Sequence, residues 1–77
     1  MQKNSAAGRN NLGYMYLHGQ GVKRDIAQAL ALFTKAAAQG LPDAQHNLGE
    51  LYFAGQGTPR DYRKAMHYFS LAAQVMI

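Results

Sequence analysis

An eleven-residue stretch of this chain occurs twice. Asn11-Leu12-Gly13-Tyr14-Met15-Tyr16-Leu17-His18-Gly19-Gln20-Gly21 returns 36 positions later as Asn47-Leu48-Gly49-Glu50-Leu51-Tyr52-Phe53-Ala54-Gly55-Gln56-Gly57. A period of that size marks a stacked-repeat protein, in which each unit is one supersecondary element that buries its apolar face only against a neighbour. Laying 6–41 on 42–77 gives thirteen identical positions, among them Arg24/Arg60, Asp25/Asp61, Ala29/Ala65, Phe33/Phe69, Ala36/Ala72 and Ala37/Ala73. These are helix stops, caps, small contact residues and aromatic knobs. What repeats is packing.

Each copy holds two helices. Leu12, Met15 and Tyr16 fall at i, i+3 and i+4 and predict a helix over 6–17, which Gly19-Gln20-Gly21 stops. After a connection over 19–24, Asp25 is placed to cap a helix over 25–39, accepting from free N–H groups at its positive end. Its stripe is Ile26, Ala29, Leu30, Phe33, Ala36 and Ala37. Gly40 closes that helix, and Pro42 opens the next, over 42–53, with Ala44, Leu48, Leu51 and Tyr52 on one face. Gly55 to Arg60 repeats the first connection, and Asp61 caps a last helix showing Tyr62, Ala65, Met66, Phe69, Ala72 and Ala73. No strand pattern occurs. The expectation is an all-α domain of four helices in two antiparallel pairs, with repeats at 6–41 and 42–77 after a frayed polar segment, 1–5. Gly13 and Gly49 each cost about 1 kcal/mol relative to Ala inside a helix. The same glycine in both copies predicts that another helix approaches closely there.

Composition narrows the function. The chain has 77 residues, enough for one small domain, and no cysteine, so disulfides and thiolate metal sites are out of reach. His18, His46 and His67 are scattered, with no carboxylate at ligand spacing for His46 or His67, and no metal site is expected. The net charge of +4 is spread along the chain, which suits a soluble basic surface and leaves nucleic-acid binding as a remote alternative. Both Gly-Gln-Gly loops follow a helix and lack a Gly-Lys-Ser or Gly-Lys-Thr sequel, so they are turns, not phosphate cradles. Ser-x-x-Lys, His-Glu-x-x-His and Gly-x-Ser-x-Gly are all missing, and neither enzyme activity nor a cofactor is expected. Residues 1–10 hold no apolar core of signal-peptide length, and no span reaches the ~20 residues of a membrane helix. A cytoplasmic location is expected, or a periplasmic or secreted one if the sequence is a fragment.

Leu12-Gly13, Tyr16, Gly19, Gly21, Asp25, Ala29, Leu32-Phe33, Ala36-Ala37 and Gly40 resemble the Sel1-like repeat, a relative of the tetratricopeptide repeat. Leu48-Gly49, Tyr52, Gly55, Gly57, Asp61, Ala65, Tyr68-Phe69 and Ala72-Ala73 make the second copy. The resemblance implies an α-solenoid of two helix-turn-helix repeats acting as a non-catalytic adaptor or scaffold for a protein or peptide. Gly8 departs from Ala44 of the second copy, and Gln74-Val75-Met76-Ile77 lacks the closing glycine. Members of the family with a cysteine pair per repeat have been linked to β-lactam binding or hydrolysis; that link does not extend to a chain without cysteine.

The resemblance also implies an inner groove lined by the first helix of each repeat, where side chains off the core stripe are free to bind. Those are Asn10, Asn11, Tyr14, Leu17 and His18, then His46, Asn47, Glu50 and Phe53. Asn11 and Asn47 can hydrogen-bond an extended peptide, with Tyr14 and Phe53 as apolar anchors. The plainer reading is that both asparagines satisfy backbone groups nearby. Lys23, Arg24, Arg60, Arg63 and Lys64 gather near the starts of the second helices, as a solvated edge or a dock for an acidic partner. The alternative function is self-association. The last helix should expose Ala65, Met66, Phe69 and Ala73, continuing to Met76 and Ile77, a face a third repeat would share. A two-fold homodimer or a longer solenoid would cover it.

Overall fold

A computed structural model describes residues 5–74. Its elements are α1 (Ala6–His18), α2 (Ile26–Ala38), α3 (Pro42–Ala54) and α4 (Tyr62–Ala73), the first three within one residue of the bounds that periodicity predicts and the fourth beginning directly after its expected cap, Asp61. Asp25 Oδ1 accepts from the Gln28 N–H and Asp61 Oδ1 from the Lys64 N–H, both at 3.1 Å. Ser5, expected in a frayed segment, caps α1 instead, its hydroxyl accepting from the Gly8 N–H at 3.0 Å. Residues 1–4 of that segment lie outside the described residues. Helix α3 has no side-chain cap, and Pro42, which has no N–H to satisfy, occupies its first turn.

The two loops end their helices alike. Gly19 and Gly55 donate to the Met15 and Leu51 carbonyls, and the capping Asp25 and Asp61 donate their N–H groups to the Tyr16 and Tyr52 carbonyls at 2.9 Å. Each loop therefore ties the end of one helix to the start of the next. Between the repeats the joint is tighter. Gly40, at φ 86°, lets its N–H reach the Ala37 carbonyl while the Leu41 N–H turns back to Ala36.

Helix α1 packs on α2, α2 on α3, and α3 on α4, while α1 only grazes α3 and α4 rests on α3 alone. The result is a slab of 31 × 30 × 15 Å. The core is the seam between repeats, where Ala29, Phe33, Ala36 and Ala37 meet Ala44, Leu48 and Leu51.

Gly13 and Gly49 are where the helices of each repeat come closest. A Cβ on Gly13 would stand 2.9 Å from the Phe33 ring. One on Gly49 would stand 2.8 Å from the Phe69 ring and 3.2 Å from the Ala65 carbonyl oxygen. Three expectations need correction. Phe69, expected to be exposed on the last helix, is half-buried against Gly49, whereas Phe33 is fully buried, because α3 covers the outer face of α2 and no described helix covers that of α4. Ala65, expected at the surface of the last helix, is fully buried at the Gly49 contact. Leu12 is 39% exposed although its counterpart Leu48 is fully buried, since only α3 has a helix of another repeat against it. Buried Gln45 went unanticipated; its Nε2 donates to the Ala37 carbonyl at 3.3 Å, and its Oε1 has no partner.

Unequal burial sets unequal costs. Phe33→Ala should lose ~3–5 kcal/mol, as fully buried aromatics do, and Phe69→Ala clearly less. Denaturant unfolding measures both, and equal losses would mean that the outer face of α4 is covered. The Ala37 carbonyl keeps the Gly40 N–H when Gln45 is replaced. Gln45→Met should therefore raise the melting temperature by removing a buried unpaired oxygen; a fall would contradict this reading of the seam.

Candidate functional site

Because α1 and α3 each lean on α2 and barely touch each other, their facing side chains leave a groove. One part encloses about 670 Å³. Leu17 and Leu51 form its apolar bed, with Tyr14 and His18 standing on α1 and Glu50 and Phe53 on α3. A second depression of about 480 Å³ shares Tyr14 and Asn47 with the first and continues past Asn10 and His46 to Pro42. Eight of the nine residues expected on the groove thus line one channel. Asn11 does not line it; its side chain is exposed elsewhere on α1.

The asparagines behave differently from either expectation. Asn47 Nδ2 donates to Asn10 Oδ1 at 3.0 Å, a bond that bridges α1 and α3 across the groove. The position equivalent to Asn47 is Asn11, yet the residue it meets is Asn10, whose counterpart in the second copy is His46. The bond is therefore specific to the joint between two repeats and has no copy within either. It ties the groove walls together and uses only the Asn10 oxygen and the Asn47 nitrogen, so the other atom of each amide takes no part in the bond.

The apolar anchors are in place. Tyr14 is 47% exposed with its ring centroid 4.2 Å from that of His18, and Phe53 is 55% exposed at 5.2 Å from Tyr62. His46 has a carboxylate after all, since one helical turn brings Glu50 Oε2 to 3.3 Å from its Nε2. Both side chains are exposed, so the pair is weak and is ionic only while the imidazole is protonated. Arg24, assigned to a solvated edge, instead lines the groove. Its Nε donates to the Leu17 carbonyl at 3.0 Å, which ties the side chain to the end of α1. Its counterpart Arg60 lies 5.8 Å over the Tyr62 ring instead. Gln56 also enters from its loop. Lys23, Arg63 and Lys64 stay exposed.

Of the residues expected to self-associate, Met66 is 61% exposed, Ala73 is exposed, and half-buried Phe69 also borders the groove. Met76 and Ile77 lie outside the described residues. Among the described residues no three of His, Cys, Asp and Glu converge as metal ligands, and no helix is long and apolar enough to cross a membrane. The groove offers aromatic edges, amides, the carboxylates of Glu50 and Asp43, and the Arg24 guanidinium.

Comparison with known proteins fits this geometry. The family model of the Sel1 repeat matches residues 6–41 and again 42–74. The crystal structure of a Sel1 repeat protein from Oxalobacter formigenes superposes with a TM-score of 0.91 at 43% identity, over 94% of this chain and 29% of that one. A protective antigen present in uropathogenic Escherichia coli strains, displaying an SLR fold, gives 0.89 at 41% identity, over 91% of this chain and 15% of that one. The chain spans less than a third of either protein. A search of curated proteins returns no match.

The Asn10–Asn47 bond makes a prediction separable from ligand binding. Asn47→Ala and Asn10→Ala should each destabilise by ~0.5–1.5 kcal/mol, and the double variant by little more than one of them. Asn11→Ala should be neutral. Thermal melts of the four variants decide it, and full additivity would mean that the bond contributes nothing.

Proposed function

The chain belongs to the Sel1 repeat family, whose repeats generally mediate protein–protein interaction, and on that footing we infer that it is a non-catalytic module holding an extended partner segment between α1 and α3. The observation that carries this reading is the pairing of Tyr14 and Phe53. They come from different repeats, stand on facing helices, and remain about half exposed beside a shared apolar bed. Exposed aromatics beside a cleft are the side chains that anchor polypeptides, because they bury large area at small cost in rotamer freedom. The free halves of the Asn10 and Asn47 amides, one donor and one acceptor, match the alternating N–H and C=O groups of an extended backbone.

Charge gives the channel a direction. Arg24 and Glu50 line the same channel, one from the first loop and one from α3. A partner segment with an acidic group beside Arg24 and a basic group beside Glu50 fits in one orientation and is repelled in the other.

Peptides selected from a display library against this chain test the assignment. Replacing Tyr14 and Phe53 together with Ala should weaken their binding at least tenfold, about 1.4 kcal/mol, with helicity unchanged. Replacing Arg63 and Lys64 together with Glu should leave it within a factor of ~2–3. The opposite pattern would move the site to the basic edge.

A further inference from the structure

The seam between α2 and α3 has two sides, and each side has a second copy on an outer helix of the described residues. Helix α2 contributes Ala29, Phe33, Ala36 and Ala37, and α4 carries Ala65, Phe69, Ala72 and Ala73 at the same offsets. Helix α3 contributes Ala44, Leu48 and Leu51, and α1 carries Gly8, Leu12 and Met15 there. Ala65 and Ala72 are buried, as Ala29 and Ala36 are, but the other positions differ in what covers them. Phe33 is fully buried and Phe69 half; Ala37 is buried and Ala73 exposed; Leu48 is fully buried and Leu12 is not. Half-buried Leu30 corresponds to Met66, the most exposed of the large apolar side chains. The described solenoid thus leaves part of one half of its own seam uncovered on α1, at Leu12, and part of the other half on α4, at Met66, Phe69 and Ala73.

We propose that one copy of this chain seats its α1 on the α4 of a second copy, repeating the α2–α3 seam between molecules. The internal seam supplies the template for each contact. Gln45 donates to the Ala37 carbonyl, and the equivalent pair is Arg9 with Ala73. There a guanidinium would meet carbonyls at the negative end of α4, a stronger donor at a favourable helix terminus. Ile26 packs on Gly57, where a Cβ would stand 2.8 Å from its Cγ2. The equivalent pair is Tyr62 with Gly21. Tyr62 is 53% exposed, and a Cβ on Gly21 would meet only the Met15 methyl, at 3.5 Å, so the glycine is open to a ring.

The two faces complement each other and not themselves. Such a contact is heterologous: every added copy leaves one α1 face and one α4 face free, so association continues past the dimer unless the ends close a ring. A two-fold pairing of α4 with α4 has no template within the molecule.

Sedimentation of the 77-residue chain from micromolar to millimolar concentration tests the proposal. The mass should rise with concentration and pass that of a dimer. Met66→Glu blocks the α4 face and Leu12→Glu the α1 face, both at exposed positions. Each variant alone should stay monomeric, yet their equimolar mixture should double in mass, because one intact α1 face then finds one intact α4 face. If circular dichroism shows that Leu12→Glu has lost helicity, Arg9→Glu takes its place in the same mixture. A Leu12→Glu variant that dimerises alone would establish two-fold pairing and overturn the proposal. A parent chain that remains monomeric throughout, or a mixture of folded variants that does, would overturn it equally.

Discussion

The structure depends on two missing methyl groups. At Gly13 and Gly49 the aromatic rings of Phe33 and Phe69 lie where a Cβ would be, directly against the backbone of the preceding helix. A glycine inside a helix costs about 1 kcal/mol relative to alanine, but it admits a ring whose full burial stabilises by ~1.5–3 kcal/mol. The exchange favours the glycine, and it also sets the spacing. With the two helices of each repeat drawn together at that point, the loops can tie one helix end to the next helix start through the same backbone bonds in both copies.

That internal contact leaves each repeat with an outer apolar face, and neighbours decide its fate. Phe33 and Phe69 are the same residue in the same local setting, yet only Phe33 is sealed, because α3 lies over α2. Leu48 and Leu12 show the converse on the first helices. The groove has the same origin. Since α1 and α3 both pack on α2 and barely touch each other, the space between them stays open, bridged at one point by the Asn10–Asn47 bond. Binding surface and uncovered ends are two results of one packing scheme.

Features governed by chemistry within a few residues were legible in the sequence. Asp25 and Asp61 cap as expected, Gly40 and Pro42 make the joint, and the glycine–aromatic contact was foreshadowed by a costly residue kept in both copies. Contacts that exist only between the copies were not. Asn10 pairs with a residue 37 positions away and has no asparagine counterpart, so repetition pointed to Asn11 instead. Gln45 looks like a surface residue until α2 is laid against it. Arg24 and Gln56 belong to the repeated loop positions, and that regularity was the available signal; only the angle between helix pairs turns them into the channel. The burial of Phe69 could not follow from periodicity, which records a face but not what covers it.

Among the described residues this solenoid stands on a single seam between repeats. Amide hydrogen exchange at a concentration where the chain is monomeric reads that seam residue by residue. Protection should be greatest in α2 and α3, whose amides exchange only through global unfolding, and lower in α1 and α4, which can open while the seam persists. Greatest protection in α1 or α4 would contradict the account.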